Sequence, residues 1–106
     1  MDNIILICAA GMSTSMLVKR MEAVAKEHNK DVKITAFPQH ELTNYVGDID
    51  CILLGPQIGY LEEEVKREYE PKGIPVEVIN SSDYGMLDGK KVLKRALKMI
   101  KESKES

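Results

Sequence analysis

The sequence has no tryptophan, one phenylalanine and an aromatic content of 5%. Concave sites for sugars and other small molecules are usually built on apolar and aromatic walls, so these residues do not supply a sugar pocket of their own. No stretch approaches the ~20 consecutive apolar residues of a membrane span, which excludes direct membrane insertion. Charge of neither sign is in excess. The formal net charge is −2 and the two signs read as interspersed along the chain, against the basic surplus expected of a nucleic-acid-binding face. Met1-Asp2-Asn3 lacks the basic opening of a signal peptide and runs straight into apolar residues. The expected location is therefore cytoplasmic.

Cysteine and histidine are equally scarce. Two cysteines, Cys8 and Cys51, and two histidines, His28 and His40, form no C-x-x-C pair and no metal-ligand spacing. No metal and no cofactor is expected, and in a reducing cytosol no disulfide.

What is present is alternation. The 106 residues suffice for one domain, residues 1–106. Ile4 to Cys8 reads as a strand buried on both faces. A helix follows from about Ser15 to His28, with Leu17, Met21, Val24, Ala25 and His28 along one stripe. Val32 to Phe37 is a second strand, nearer an edge, stopped by Pro38. Residues 39–48 suggest one helical turn and a loop. Ile49 to Leu54 is a third, buried strand ended by Gly55-Pro56. Tyr60 to Tyr69 suits a helix carrying Leu61, Val65 and Tyr69 inward. Pro75 to Ile79 is a fourth strand that opens on proline, as edge strands permit. Asp88 caps a last helix with Val92, Leu93, Ala96, Leu97 and Ile100 buried, and Lys101 to Ser106 should fray. This order predicts an α/β fold: a three-layer α/β/α sandwich on a four-stranded parallel sheet, with right-handed crossovers placing helices on both faces. Sites in such folds form beyond the carboxyl ends of the strands. Cys8 lies at one such end, and Gly55-Pro56-Gln57 at a neighbouring one.

Cys8 opens the segment Ala9-Ala10-Gly11-Met12-Ser13-Thr14-Ser15. A thiol between a buried strand and a helix start faces unpaired backbone N–H groups and the positive end of a helix dipole, surroundings that favour a thiolate and hold an anion. Gly11 gives the backbone freedom for a tight loop. Ser13, Thr14 and Ser15 offer hydroxyls to a helix cap or an oxyanion. A cysteine in this position can equally be a small buried hydrophobe. Cys51, inside an apolar run, is expected to be inert core. Gln57, Asp83 and Tyr84 could rim the site, with a turn the simplest reading of residues 83–84.

The stretch from Cys8 to Leu17 resembles the phosphorylation-site loop of the enzyme IIB proteins of the lactose/cellobiose (chitobiose) group of the bacterial phosphoenolpyruvate-dependent sugar phosphotransferase system. The likeness continues in Leu53-Leu54-Gly55-Pro56-Gln57-Ile58, in Tyr84-Gly85 and in Asp88-Gly89. It covers essentially the whole chain in the same order, with no departure at the loop. The resemblance implies a monomeric phosphoryl carrier. Cys8 would take a phosphoryl group from a phosphohistidine of enzyme IIA, residues 9–15 would cradle it, and a sugar bound in membrane enzyme IIC would receive it. A β-linked disaccharide such as cellobiose or chitobiose is the implied sugar.

Two other readings stay open from the residues. Low-molecular-weight tyrosine phosphatases and arsenate reductases also place a cysteine between strand and helix, in a C-x5-R-[ST] loop. Here Thr14 occupies the arginine position, so the planar fork that clamps phosphoryl oxygens is missing. Such an enzyme also needs an acid, for which Asp83 and Asp88 are the candidates. The alternative from another class is a non-catalytic regulatory module that docks a partner through Met12 and Met16.

Overall fold

The computed structural model describes residues 1–8 and 15–105. Its sheet has four parallel strands: β1 (Asp2–Cys8), β2 (Val32–Pro38), β3 (Cys51–Leu54) and β4 (Val76–Val78), in the spatial order β2-β1-β3-β4. The central pair, β1 and β3, carries the continuous apolar runs, and the edge strands β2 and β4 carry the mixed ones, as burial on two faces against one requires. Helices α1 (Ser15–Glu27), α2 (Glu62–Tyr69), α3 (Ser81–Gly85) and α4 (Gly89–Glu105) cover the sheet on both faces.

The pleat of β1 divides the core into two layers. Ile4 and Leu6 point to the α1/α4 side, where Leu17, Met21, Ala25, Val92, Leu93, Ala96, Met99 and Ile100 meet them. Ile5 and Ile7 point to the other side, packing with Ile52, Leu54, Val65, Tyr69, Leu42 and Ile58. The three-layer arrangement expected from the alternating pattern is the one observed.

Several boundaries differ, each for a local reason. Strand β3 starts at Cys51 rather than Ile49, because Asp50 takes up β1 differently: its Oδ2 accepts from the Asn3 backbone N–H at 2.7 Å. The expected helix from Tyr60 starts only at Glu62. The chain first forms a 3-10 segment, Pro56–Leu61, kinked at Ile58, whose φ of −118° is not helical. The turn expected at residues 83–84 is the helix α3, which Asn80 caps by accepting from the N–H groups of Ser82 and Asp83. His28 lies beyond the end of α1 and is exposed, since the helix stops at Glu27 before the stripe reaches it. Residues 101–105 do not fray: Ser103 Oγ donates to the Gly73 carbonyl at 3.0 Å and Lys104 Nζ to Asp2 at 3.4 Å. Charge is also less evenly spread than the chain suggests. Helix α4 gathers Lys90, Lys91, Lys94, Arg95, Lys98, Lys101 and Lys104 against only Glu102 and Glu105.

Residues 39–48 do form a single 3-10 segment, Gln39–Asn44, followed by loop, with Leu42 buried beneath it. Asp88 does cap α4, its Oδ1 accepting from the Lys91 N–H at 3.1 Å.

Candidate active site at the carboxyl edge of the sheet

Every strand in a parallel sheet points the same way, so the carboxyl ends share one edge and the helices that follow begin there. Cys8 is the last residue of β1, beside Pro38 of β2, and is 6% exposed. Helix α1 begins at Ser15, which places its free N–H groups at the same edge. The connection, Ala9, Ala10, Gly11, Met12, Ser13 and Thr14, lies outside the described residues, and with it most of the expected phosphate loop. Ser15 and Met16, at the start of α1, are exposed.

Strand β3 ends next to Cys8. The Gly55 N–H donates to the Ile7 carbonyl at 2.9 Å and ties the two strand ends together. Gly55 has an ordinary φ of −63°, so conformation does not require glycine. The space is close but not closed: a methyl there would meet Gln57 Oε1 at 3.2 Å and come into ordinary contact with the Ile7 carbonyl at 3.6 Å and Tyr84 Cε1 at 3.8 Å. Gln57 itself is exposed at the rim.

Tyr84 arrives from the other side. Helix α3 is short, but its Asn80 cap and the bond from the Tyr84 N–H to the Asn80 carbonyl, 2.9 Å, fix its first turn. The Tyr84 ring packs against the α1/α4 core layer. Its Oη is buried and has no hydrogen-bond partner among the described residues. Burial, and then the charge Cys8 would carry as a thiolate, push the phenol above its ordinary range. The second cause identifies Cys8 as an ionisable neighbour of that hydroxyl.

The structure thus brings Cys8, Gly55 and Tyr84 together, with Gln57 on the rim, and separates them from the other candidates. Cys51 is fully buried at the opposite end of the sheet, and both thiols are free. Asp88 is engaged as the α4 cap. Asp83 lines a cavity of about 320 Å³ with Glu77, Val92 and Arg95, which Cys8 does not line. His40 is exposed on the 3-10 segment after β2. Among the described residues no three His, Cys, Asp or Glu side chains gather as a metal site. The partnerless hydroxyl of Tyr84 is the feature that sequence reasoning did not find. The run Asn80-Ser81-Ser82-Asp83, which resembles a helix start, was the available signal for α3.

Residues 3–95 match the family model of the lactose/cellobiose-specific IIB subunit of the phosphotransferase system. The galactose-specific EIIB component of Lactococcus lactis subsp. cremoris is 43% identical over 101 residues, 90% of this chain and 94% of that protein. The oligo-beta-mannoside-specific EIIB component of Bacillus subtilis is 38% identical over 94% of this chain and 97% of its own length. Among solved structures, that of a cellobiose-specific phosphotransferase IIB component from Borrelia burgdorferi superposes with a TM-score of 0.79 at 42% identity, covering 96% of this chain and 94% of that one. The chain belongs to the lactose/cellobiose IIB family and is a sugar-specific component of a phosphotransferase system. Such components work with a membrane IIC protein. In the lactose-specific EIICB component of Staphylococcus haemolyticus, 27% identical over 86% of this chain, the two are fused, and the matching region is 16% of that protein. No described helix here is long and apolar enough to cross a membrane.

Proposed function

We propose that this chain is a monomeric, single-domain cytoplasmic phosphoryl carrier in which Cys8 is the acceptor. In the first step the Cys8 thiolate attacks the phosphorus of a phosphohistidine on enzyme IIA. The S–P bond forms as the N–P bond breaks, and the imidazole leaves with the nitrogen lone pair and takes up a proton. In the second step a hydroxyl of a sugar held by membrane enzyme IIC attacks the same phosphorus. The O–P bond forms, the hydroxyl proton is released to a base, and the thiolate departs. The relatives' names span galactose, cellobiose and oligo-beta-mannoside; a β-linked disaccharide such as cellobiose or chitobiose is the proposed cargo.

The observation that carries this reading is the position of Cys8, a thiol at the carboxyl end of a central parallel strand directly before the α1 N-terminus. Phosphoryl transfer asks mainly for positioning and charge stabilisation, which backbone amides provide. The phosphocysteine carries about two negative charges, and residues 9–15 with the first turn of α1 are the proposed cradle. Thr14 in place of an arginine fits a carrier, which has to keep its phosphoryl group from water until the sugar arrives. Labelled phosphoenolpyruvate, passed through the general components and enzyme IIA, should label wild-type protein and not Cys8→Ser. Labelled protein mixed with free disaccharide should yield no sugar phosphate until membranes containing the matching IIC are added. Sugar phosphate formed without membranes, or full labelling of Cys8→Ser, overturns the proposal.

A further inference from the structure

The buried hydroxyl of Tyr84, which has no hydrogen-bond partner among the described residues, calls for a physical account. A buried O–H without an acceptor loses its hydrogen bonds to water and gains nothing in exchange, and phenylalanine would fill the same space without that loss. Nor is the hydroxyl held in place by chance. Asn80 caps α3 with two backbone N–H contacts, the Tyr84 N–H is bonded to the Asn80 carbonyl, and the ring is wedged between Gly55 and the α1/α4 core layer. Gly55 lies beside this arrangement, its ideal methyl 3.8 Å from Tyr84 Cε1. The group is thus held from several sides, and no acceptor for it lies among the described residues.

A methyl on Gly55 would lie 3.8 Å from Tyr84 Cε1, and the Gly55 N–H is bonded to the carbonyl of Ile7, the residue before Cys8, so the ring stands at the end of β1 that carries Cys8. A thiol sulfur is a poor acceptor, whereas a phosphoryl group on that sulfur would introduce three strong anionic oxygens within the same enclosure. We propose that Tyr84 is a phosphoryl-binding residue: its Oη–H donates to a phosphoryl oxygen once Cys8 is phosphorylated. The inference rests on Cys8 being the acceptor. Because burial holds the phenol above its ordinary range, the group stays a neutral donor at physiological pH. Binding through a neutral donor differs from the arginine clamp of a phosphatase. It steadies the ground state of the phosphocysteine and supplies neither a full positive charge for a hydrolytic transition state nor an acid for a leaving group.

The test uses the full chain as wild type, Tyr84→Phe and Cys8→Ser. The readouts are the equilibrium of phosphoryl transfer from phosphorylated enzyme IIA and the 31P spectrum of the phosphoprotein. Tyr84→Phe should still accept label on Cys8, with the transfer equilibrium displaced toward the donor by about tenfold, as loss of one hydrogen bond to a charged group predicts. The 31P resonance should move as well, and the unphosphorylated variant should melt no lower than wild type. A general structural role would lower stability and leave the 31P position unchanged. If Tyr84→Phe does not fold, wild-type protein labelled at tyrosine Cζ answers instead: phosphorylation should shift the Tyr84 signal and raise its titration midpoint. A transfer equilibrium within twofold of wild type, an unmoved 31P resonance or an unmoved Tyr84 signal would overturn the inference. Labelling of Cys8→Ser would instead overturn the carrier reading beneath it, so the two failures are distinct.

Discussion

Cys8 and Cys51 stand on adjacent strands of one sheet, and both are nearly closed to solvent, at 6% and 0% exposed. Burial therefore does not separate them. What does is the end of the sheet each occupies. Cys8 closes β1 at the carboxyl edge, where α1 starts and where Gly55 and Tyr84 converge. Cys51 opens β3 at the amino edge, paired in register with Ile4 and surrounded by the α1/α4 core layer. Its thiol is pushed up to about 12, first by burial and then by the carboxylates of Glu77 and Asp50, against a smaller opposing effect of Arg95. In a parallel sheet the helix N-termini and their unpaired N–H groups collect at one edge only. The same side chain thus stands beside helix starts at one end and deep in the core at the other, because the strands have a direction.

The sharpest way to break that comparison is to exchange the sulfurs for oxygen. Cys8→Ser should lose phosphocysteine formation completely, while Cys51→Ser should keep it at near the wild-type level, measured by label transfer from enzyme IIA. Equal loss in both variants would mean that the two edges are not functionally distinct.

The next effect is on stability and reads Cys51 directly. A thiol whose titration is raised by folding stays protonated in the native state while the unfolded chain ionises. The unfolded state then binds fewer protons, so stability falls as pH rises. The contribution is intact below about pH 9 and is lost progressively toward pH 12. Three units correspond to about 4 kcal/mol. Urea unfolding should show this alkaline decline, and Cys51→Val should flatten it. The same decline in Cys51→Val would assign it to other groups, of which Tyr69 and Tyr84, also raised, are the first candidates.

Packing behind the carboxyl edge is the third test. Gly89, at the start of α4, lies so close to α1 that a methyl would fall 2.7 Å from the Arg20 carbonyl carbon and 2.8 Å from the Met21 nitrogen. Gly89→Ala should cost about 1–3 kcal/mol despite its better helix propensity, lowering the melting temperature by several degrees. Gly55→Ala is the milder counterpart. Its nearest obstacle is the end of the flexible Gln57 side chain, which can turn away, so the cost should stay below about 1 kcal/mol.

The smallest effect is expected at the exposed pair of Arg95 and Glu77, although the contact is bidentate, with Nη2 donating to Oε1 at 2.7 Å. A double-mutant cycle should return no more than about 1 kcal/mol, since solvent screens the pair. Glu77→Gln should also let Cys51 titrate lower, because it removes a charge that opposes the thiolate and frees Arg95, which favours it.

Helices and strands were legible where periodicity was strong. The buried runs of β1 and β3 and the stripes of α1 and α4 read directly from apolar spacing. Two of the missed boundaries come from hydrogen bonding by short polar side chains: Asp50 accepts from the Asn3 N–H, 47 positions away, and Asn80 caps a helix only five residues long. Such bonds depend on which neighbour is present, and periodicity carries no trace of that. The site divides in the same way. Cys8 and Gly55 stood out because each ends a strand beside small or breaking residues. Tyr84 was legible as a residue that could rim the site, but the burial of its hydroxyl was not, because that depends on what the folded chain packs around it.

Alternation of apolar runs and amphipathic stripes, with a thiol placed between the first strand and the first helix, determined by itself the fold class and the principal candidate residue. Those features are local, set by steric periods of two and 3.6 residues and by the unpaired N–H groups at a helix start. The apolar run already marked Cys51 as inert core; tertiary structure alone decided how firmly its thiol is held protonated, through burial first and then the carboxylates of Glu77 and Asp50. It alone brought Tyr84, 76 positions along the chain, against Cys8. Strand order β2-β1-β3-β4 puts β1 and β3 side by side, and only the folded sheet carries the ends of both to one edge, where Tyr84 of α3 meets Gly55.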